Sequence, residues 1–303
     1  MQLETSMSQD RNGGQIEVDD SARGLRPKRE IESGIRTDLT GTMDYQSYLG
    51  LDKILQAQHP LSDPPHHDEL LFIIQHQTAE LWFKLIIHEL KAAIAHLDAD
   101  QPSPCLKVLA RVKMIQNQLF DQWAVLETLT PTEYVQFRHV LGSASGFQSF
   151  QYRTVEFLLG NKDRAVLPLF AHQPEVQASL RQLLESPSVY DAFVRWLARR
   201  GFELEHALVE RDFSEPRPFS DTLVEILVGI YRDPERCWSE YALCERLVDV
   251  EESFQLWRFR HLKSVERIIG HKRGTGGSSG VGFLERALAQ RFFPELLEVR
   301  TQL

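Results

Sequence analysis

Apolar side chains recur at three- and four-residue steps through most of this chain. Between His66 and Asp98 they fall at Leu70, Leu71, Ile74, Leu81, Leu85, Ile86 and Leu90, with no glycine or proline among them. That period predicts an α-helix, roughly 50 Å long if continuous. A second long helix is expected from Cys105 to about Leu129. Thr130-Pro131-Thr132-Glu133 then has the form of a helix start. Thr130 is the N-cap, Pro131 takes the first helical position, and Glu133 reaches back to close a capping box. Gly142–Gly146 breaks that segment and Phe147–Leu159 resumes it. Ser186-Pro187 and Asp233-Pro234 predict further helix starts. The stretch from Cys237 to Ile269 is again free of glycine and proline, and Gly270 suits its C-terminal cap. No Asn-Gly or Asp-Gly hairpin turn separates alternating apolar runs. The expected fold class is all-α, a bundle of long helices packed on one another.

Composition adjusts this picture at the ends and excludes some partners. Residues 1–36 are polar and carry almost no aromatic side chains. Too little apolar surface is available there to offset the entropy of ordering, so a disordered tail is expected. Residues 37–303 then make one helical domain. A net charge of −9 argues against nucleic acid as a partner, since a nucleic-acid binder needs a basic face. The three cysteines, Cys105, Cys237 and Cys244, include no CxxC, which points to a reducing compartment. No apolar run is long enough to span a membrane, and the N-terminus lacks the apolar segment of a signal peptide. A cytoplasmic protein without a membrane partner is expected.

One stretch departs from the helical pattern. Gly270–Gly282 holds six glycines in thirteen residues. It lacks the phosphate-loop pattern and no strand precedes it. It reads either as a flexible linker or as a lid whose backbone closes over a ligand.

Several side chains could carry chemistry. On one helical face Phe254, Trp257, His261 and Val265 align. An imidazole on such a stripe is either a hydrogen-bonded core histidine or an axial ligand to haem iron. In the second case an acceptor is expected on its other ring nitrogen. Phe72 and His76, four residues apart, could flank a planar aromatic ligand and handle a proton on an N–H group. The alternative is a histidine bonded to Glu80, one turn later. Tyr134 and Arg138 repeat the four-residue spacing, and arginine offers a planar fork that matches a carboxylate. The alternative is a solvated surface charge. Non-haem metal centres are poorly supported. Glu203-Leu204-Glu205-His206 supplies one ExxH without a second copy, His66 and His67 diverge, and no HExxH occurs.

Beyond these patterns the chain resembles the tryptophan 2,3-dioxygenase family. The likeness is carried by Tyr45-Gln-Ser-Tyr48-Leu49, by His67 through Gln77, by Ser145-Gly-Phe-Gln-Ser, by Phe254 through His261, and by Lys272 through Gly280. It runs from about Gly41 to about Arg300. The resemblance implies haem b, one per subunit and ferrous when active, ligated by His261. It implies that His76 sits beside the substrate's indole nitrogen and Phe72 against the indole. Arg138, helped by Tyr134, would bind the substrate carboxylate. Thr275 would meet the ammonium and carboxylate region, and Ser145 and Gly146 would line the haem pocket. Tyr45, Tyr48 and Leu49 match residues that enter a neighbouring subunit's site, in a homotetramer built as a dimer of dimers. The implied reaction joins L-tryptophan and O2 to give N-formyl-L-kynurenine, the first step of the kynurenine route. A haem-binding sensor, a dioxygenase of another indole, and a helical scaffold without cofactor are the competing readings.

Overall fold

Helix follows helix through residues 31–303, the part of the chain described by this computed structural model, and no strand occurs among those residues. Most of the expected N-terminal tail therefore lies outside the described residues. The chain divides into two compact units at residues 57 and 58. The first holds two short helices, α1 (Tyr45–Leu49) and α2 (Leu51–Ile54). The Asp44 side chain caps α1, and Gly50, with φ +60°, ends it.

The second unit opens with the long helix α3 (His67–Asp98), followed by α4 (Pro102–Asp121), α5 (Trp123–Leu126) and α6 (Pro131–Arg138). Next come α7 (Phe150–Leu159), α8 (Pro174–Leu184), α9 (Val189–Arg199), α10 (His206–Val209) and α11 (Asp221–Arg232). The second long helix, α12 (Trp238–Ile269), leads through the glycine-rich stretch to α13 (Val281–Ala289) and α14 (Pro294–Gln302).

Three long helices make the frame. On α3 the buried seam is Phe83, Ile86, Leu90, Ala93 and Leu97, and on α4 it is Cys105, Leu109, Val112, Ile115 and Leu119. On α12 the seam runs through Leu243, Leu247, Val250, Phe254 and Trp257. These spacings of three and four residues put each set on one face, so α4 packs between α3 and α12. Side-chain pairs fix the directions. Arg111 of α4 meets Glu89 of α3, while Lys113 meets Asp249 and Arg260 reaches the Phe120 carbonyl. Hence α4 runs antiparallel to α3 and parallel to α12. The N-terminal third of α3 and the C-terminal third of α12 therefore come to the same end of the frame.

The structure shifts four of the expected boundaries. The second helix starts at Pro102 and is interrupted at Gln122, so one helix from Cys105 to Leu129 does not form. At the break Arg260 of α12 donates to the Phe120 carbonyl at 3.0 Å, and the Val125 amide turns back to Gln122. Tertiary contacts of this kind leave no mark in the local period. Phe147 lies in a short 3₁₀ turn, and α7 begins at Phe150 behind a Ser149 cap. The helix expected at Ser186-Pro187 is capped instead by Ser188, which closes a capping box with Asp191. Asp233-Pro234 opens a single turn before α12 begins at Trp238. The box at Thr130 and Glu133 forms as expected, as does the Gly270 cap.

Asp191 does more than cap. It is fully buried and accepts hydrogen bonds from Arg211 at 2.9 Å and from Arg217 at 2.9 Å. Burial works to raise its pKa, but the bonds and charges of both arginines, with the Ser188 amide, outweigh burial and hold it at about 2. A carboxylate depressed in this way lends stability above its unfolded pKa near 3.9, and that stability is lost as pH falls toward 2. Asp191→Asn leaves two buried guanidinium groups uncompensated. It is expected to lower unfolding free energy by about 3–5 kcal/mol at pH 7. The gap from the parent protein should narrow below about pH 3.5, as urea midpoints at the two pH values will test.

Candidate active site

The end where α3 and α12 meet carries both candidate histidines. His76 Nδ1 lies 2.7 Å from the carbonyl of Phe72, one turn earlier on α3. A carbonyl only accepts, so Nδ1 carries the proton and Nε2 presents a lone pair. Glu80 is not its partner, because that carboxylate accepts from Gln151. Burial lowers the His76 pKa, against the Phe72 carbonyl and the charge of Glu80, which raise it. The residue is nevertheless exposed to solvent.

His261 faces the same environment from α12. Burial, and then the charge that His76 would bear, push its pKa down to about 4. Both imidazoles are thus neutral at pH 7. The His261 ring stacks on Trp123 at 4.8 Å between centroids, with planes 8° apart, and Trp257 packs at 5.8 Å. Neither ring nitrogen has a hydrogen-bond partner among the described residues, so the acceptor expected behind this imidazole is not found. A neutral nitrogen donor with a free lone pair and indole walls fits the axial position of a haem iron. Among the described residues no three His, Cys, Asp or Glu side chains gather as a metal site.

Phe72 links the histidines to the next elements. Its ring lies 4.3 Å from that of His76, 5.8 Å from Tyr134 and 5.7 Å from Phe137. Phe137 is fully buried and anchors α6, and this brings Tyr134 and Arg138 to the recess. The Tyr134 hydroxyl is raised in pKa by burial, while the Arg138 guanidinium beside it pulls the other way. Tyr134, Arg138 and Thr275 line one cleft of about 470 Å³, together with Ile268, Ile269 and Gly274. His76 and His261 are not on the walls of that cleft. Phe72, which touches both Tyr134 and His76, stands between the two groups.

The glycine-rich stretch folds on itself and closes one side of the cleft. Gly274 donates to the Ser278 carbonyl at 3.2 Å and Gly277 to the Gly274 carbonyl at 3.0 Å. Thr275 Oγ1 donates to the Ala144 carbonyl, and Arg138 Nη2 donates to the Arg273 carbonyl at 2.6 Å. The Arg138 Nε–H is buried with no acceptor. A Cβ on Gly276 would come within 2.7 Å of the Ser145 Cβ, so this approach needs glycine. Ser145 caps the short 3₁₀ turn that Gly146 begins. The predicted residues Phe72, His76, Tyr134, Arg138, Ser145, Gly146 and Thr275 are joined by this chain of contacts, and His261 is related to them through its electrostatic interaction with His76. Tyr45, Tyr48 and Leu49 lie exposed on α1, in the first unit.

Sequence reading missed Trp123 and the Arg273 carbonyl. Trp123 looked like one more apolar helix position, and its partner lies far along the chain. Backbone carbonyls carry no sequence signal at all.

These features define an all-helical protein that brings two neutral imidazoles to one end of its frame, with a cationic cleft nearby. Comparison with known proteins makes that class specific. The sequence profile of the tryptophan 2,3-dioxygenase family matches residues 29–216 and 171–303. The chain is 59% identical over 273 residues to a tryptophan 2,3-dioxygenase of Xanthomonas oryzae pv. oryzae, covering 90% of this chain and 92% of that one. It is 59% identical over 280 residues to that of Myxococcus xanthus, covering 92% and 96%. Against that of Serratia proteamaculans it is 56% identical over 276 residues, covering 91% and 99%. The chain belongs to the tryptophan 2,3-dioxygenase family, and it is an oxidoreductase of the dioxygenase class.

Proposed function

We propose that this enzyme converts L-tryptophan and O2 into N-formyl-L-kynurenine, the first step of tryptophan breakdown by the kynurenine route, with haem b held by His261. The observation that carries the reading is the His261 imidazole, stacked on Trp123, without a hydrogen-bond partner among the described residues and within electrostatic reach of His76, in a chain of this family. When bound, haem supplies the ferrous iron that activates O2, and both oxygen atoms enter the product across the indole C2–C3 bond.

The protein's own side chains do the rest. Arg138 and the Tyr134 hydroxyl hold the substrate carboxylate, and Thr275 meets the ammonium and carboxylate end. Phe72 packs against the indole. His76 Nε2 accepts a hydrogen bond from the indole N–H, because Nδ1–H is already donated to Phe72. Indole N–H is a very weak acid and imidazole a mild base, so hydrogen bonding describes this role better than prior deprotonation. Ser145 and Gly146 border the cofactor pocket, and the Thr275 bond to Ala144 holds the loop against entering water. Tyr45 and Tyr48, about three-quarters exposed, and Leu49 supply apolar side chains for a neighbouring subunit's site in a homotetramer, a dimer of dimers. All three cysteines are free, in keeping with the reducing cytoplasm.

An anaerobic tryptophan titration of the reduced protein, followed by oxygen and product analysis, tests the reading. A tryptophan-dependent spectral change and a formylated, ring-opened product are expected. No product under air would sink it and leave a haem sensor. A pH series adds a second check. Nε2 accepts only while His76 is neutral, and burial lowers its pKa. Turnover per bound tryptophan is therefore expected to stay level between pH 8 and 7 and to fall as the medium becomes more acidic than the ordinary imidazole range.

A further inference from the structure

Metal-ligating histidines usually give their second ring nitrogen to a carboxylate or carbonyl, which fixes the ring and raises its basicity. Among the described residues His261 has no such partner. What touches its ring is indole: Trp123 face to face at 4.8 Å and Trp257 at 5.8 Å. Trp123 is 7% exposed, and its own Nε1–H has no acceptor, so packing rather than hydrogen bonding keeps the indole there.

The turn that carries Trp123 is clamped to the helix that carries His261. Arg260 Nε and Nη2 grip both oxygens of Glu127 at 2.8 and 3.0 Å, and Nη1 takes the Phe120 carbonyl at 3.0 Å. Ser264 Oγ adds a bond to Glu127 at 3.2 Å, and the Arg260 guanidinium lies over the Phe120 ring. Residues on both sides of Trp123 are thus tied to residues on both sides of His261. Trp123 opens α5 directly after Gln122, where α4 ends.

We propose that Trp123 is the positioning residue of His261: its indole face sets the plane of the imidazole, and the Glu127–Arg260 fork holds that indole in place. The inference rests on His261 being the haem ligand. It gives the iron a neutral imidazole whose orientation is fixed without the added basicity that a hydrogen-bond acceptor would confer.

The test uses the haem-loaded, full-length protein and two readouts besides activity. One is the rate of haem transfer to excess apomyoglobin. The other is the iron–histidine stretching band of the reduced protein. Trp123→Leu is expected to raise the transfer rate about three- to tenfold and to shift the band. Trp123→Phe, which keeps an aromatic face, should restore both to near the parental values. Glu127→Gln loosens the clamp from outside the core and should move both readouts in the Leu variant's direction, by less. Parental rate and band in Trp123→Leu would overturn the inference. If that variant does not fold, an unchanged Glu127→Gln protein overturns it equally. His261→Ala separates the two levels. Should it keep the parental band, the ligand reading itself fails; should it lose the band while the Trp123 and Glu127 variants keep theirs, only the positioning role fails.

Discussion

A protein with alanine at position 261 is expected to fold and to leave haem unretained. His261 is the imidazole with neither nitrogen bonded among the described residues and its charge suppressed by burial, whereas His76 already gives Nδ1–H to the Phe72 carbonyl. Partners behind a metal ligand are worth about 10–100-fold in affinity, and losing the ligand itself should exceed that. The haem absorption band should disappear on gel filtration while the helical circular dichroism persists. Added imidazole should restore part of the band by entering the space left by the ring. Full haem occupancy with an unchanged spectrum would refute the assignment.

The second large effect is expected at Arg138. Removing one partner of a buried charged hydrogen bond costs about 2–5 kcal/mol, so Arg138→Ala should weaken tryptophan binding by roughly 30-fold to several thousandfold. Tryptamine, which lacks the carboxylate, should lose far less. Arg138→Lys should recover little, because an ammonium cannot present two parallel donors in one plane. Unchanged tryptophan affinity in the alanine variant would rule out the clamp. The variant should also loosen the loop, since the Arg138 bond to the Arg273 carbonyl goes with it.

Local physics made much of the fold legible. Helix α3 was legible from its three- and four-residue apolar steps and Thr130 with Glu133 announces α6, but the buried seam of α3 was legible only in part, since Ile86 and Leu90 are buried while Leu70, Ile74 and Leu81 are exposed. The candidate side chains were legible as pairs, Phe72 with His76 and Tyr134 with Arg138, because a helix places residues four apart on one face. What joins one pair to the next was not. The ring contact from Phe72 to Tyr134 spans two helices, and the hydrogen bond of Thr275 to Ala144 spans two loops. Such contacts depend on how elements pack, which a local period does not record. The interruption at Gln122 is the clearest case. Nothing in Gln118–Leu126 forbids a continuous helix, and the decisive donor, Arg260, belongs to another element. The reading therefore failed next to Trp123, whose indole stacks on His261.

The bond between Arg138 and the Arg273 carbonyl has a thermodynamic consequence. In the proposed binding mode a single guanidinium would serve both the main chain of the glycine-rich segment and the anionic end of an incoming amino acid. Ordering of that segment and occupancy of the cleft would then be linked equilibria with one shared coupling energy. Reciprocity then holds in both directions: whatever factor a settled segment adds to amino-acid affinity, a bound amino acid adds to the segment's own settling.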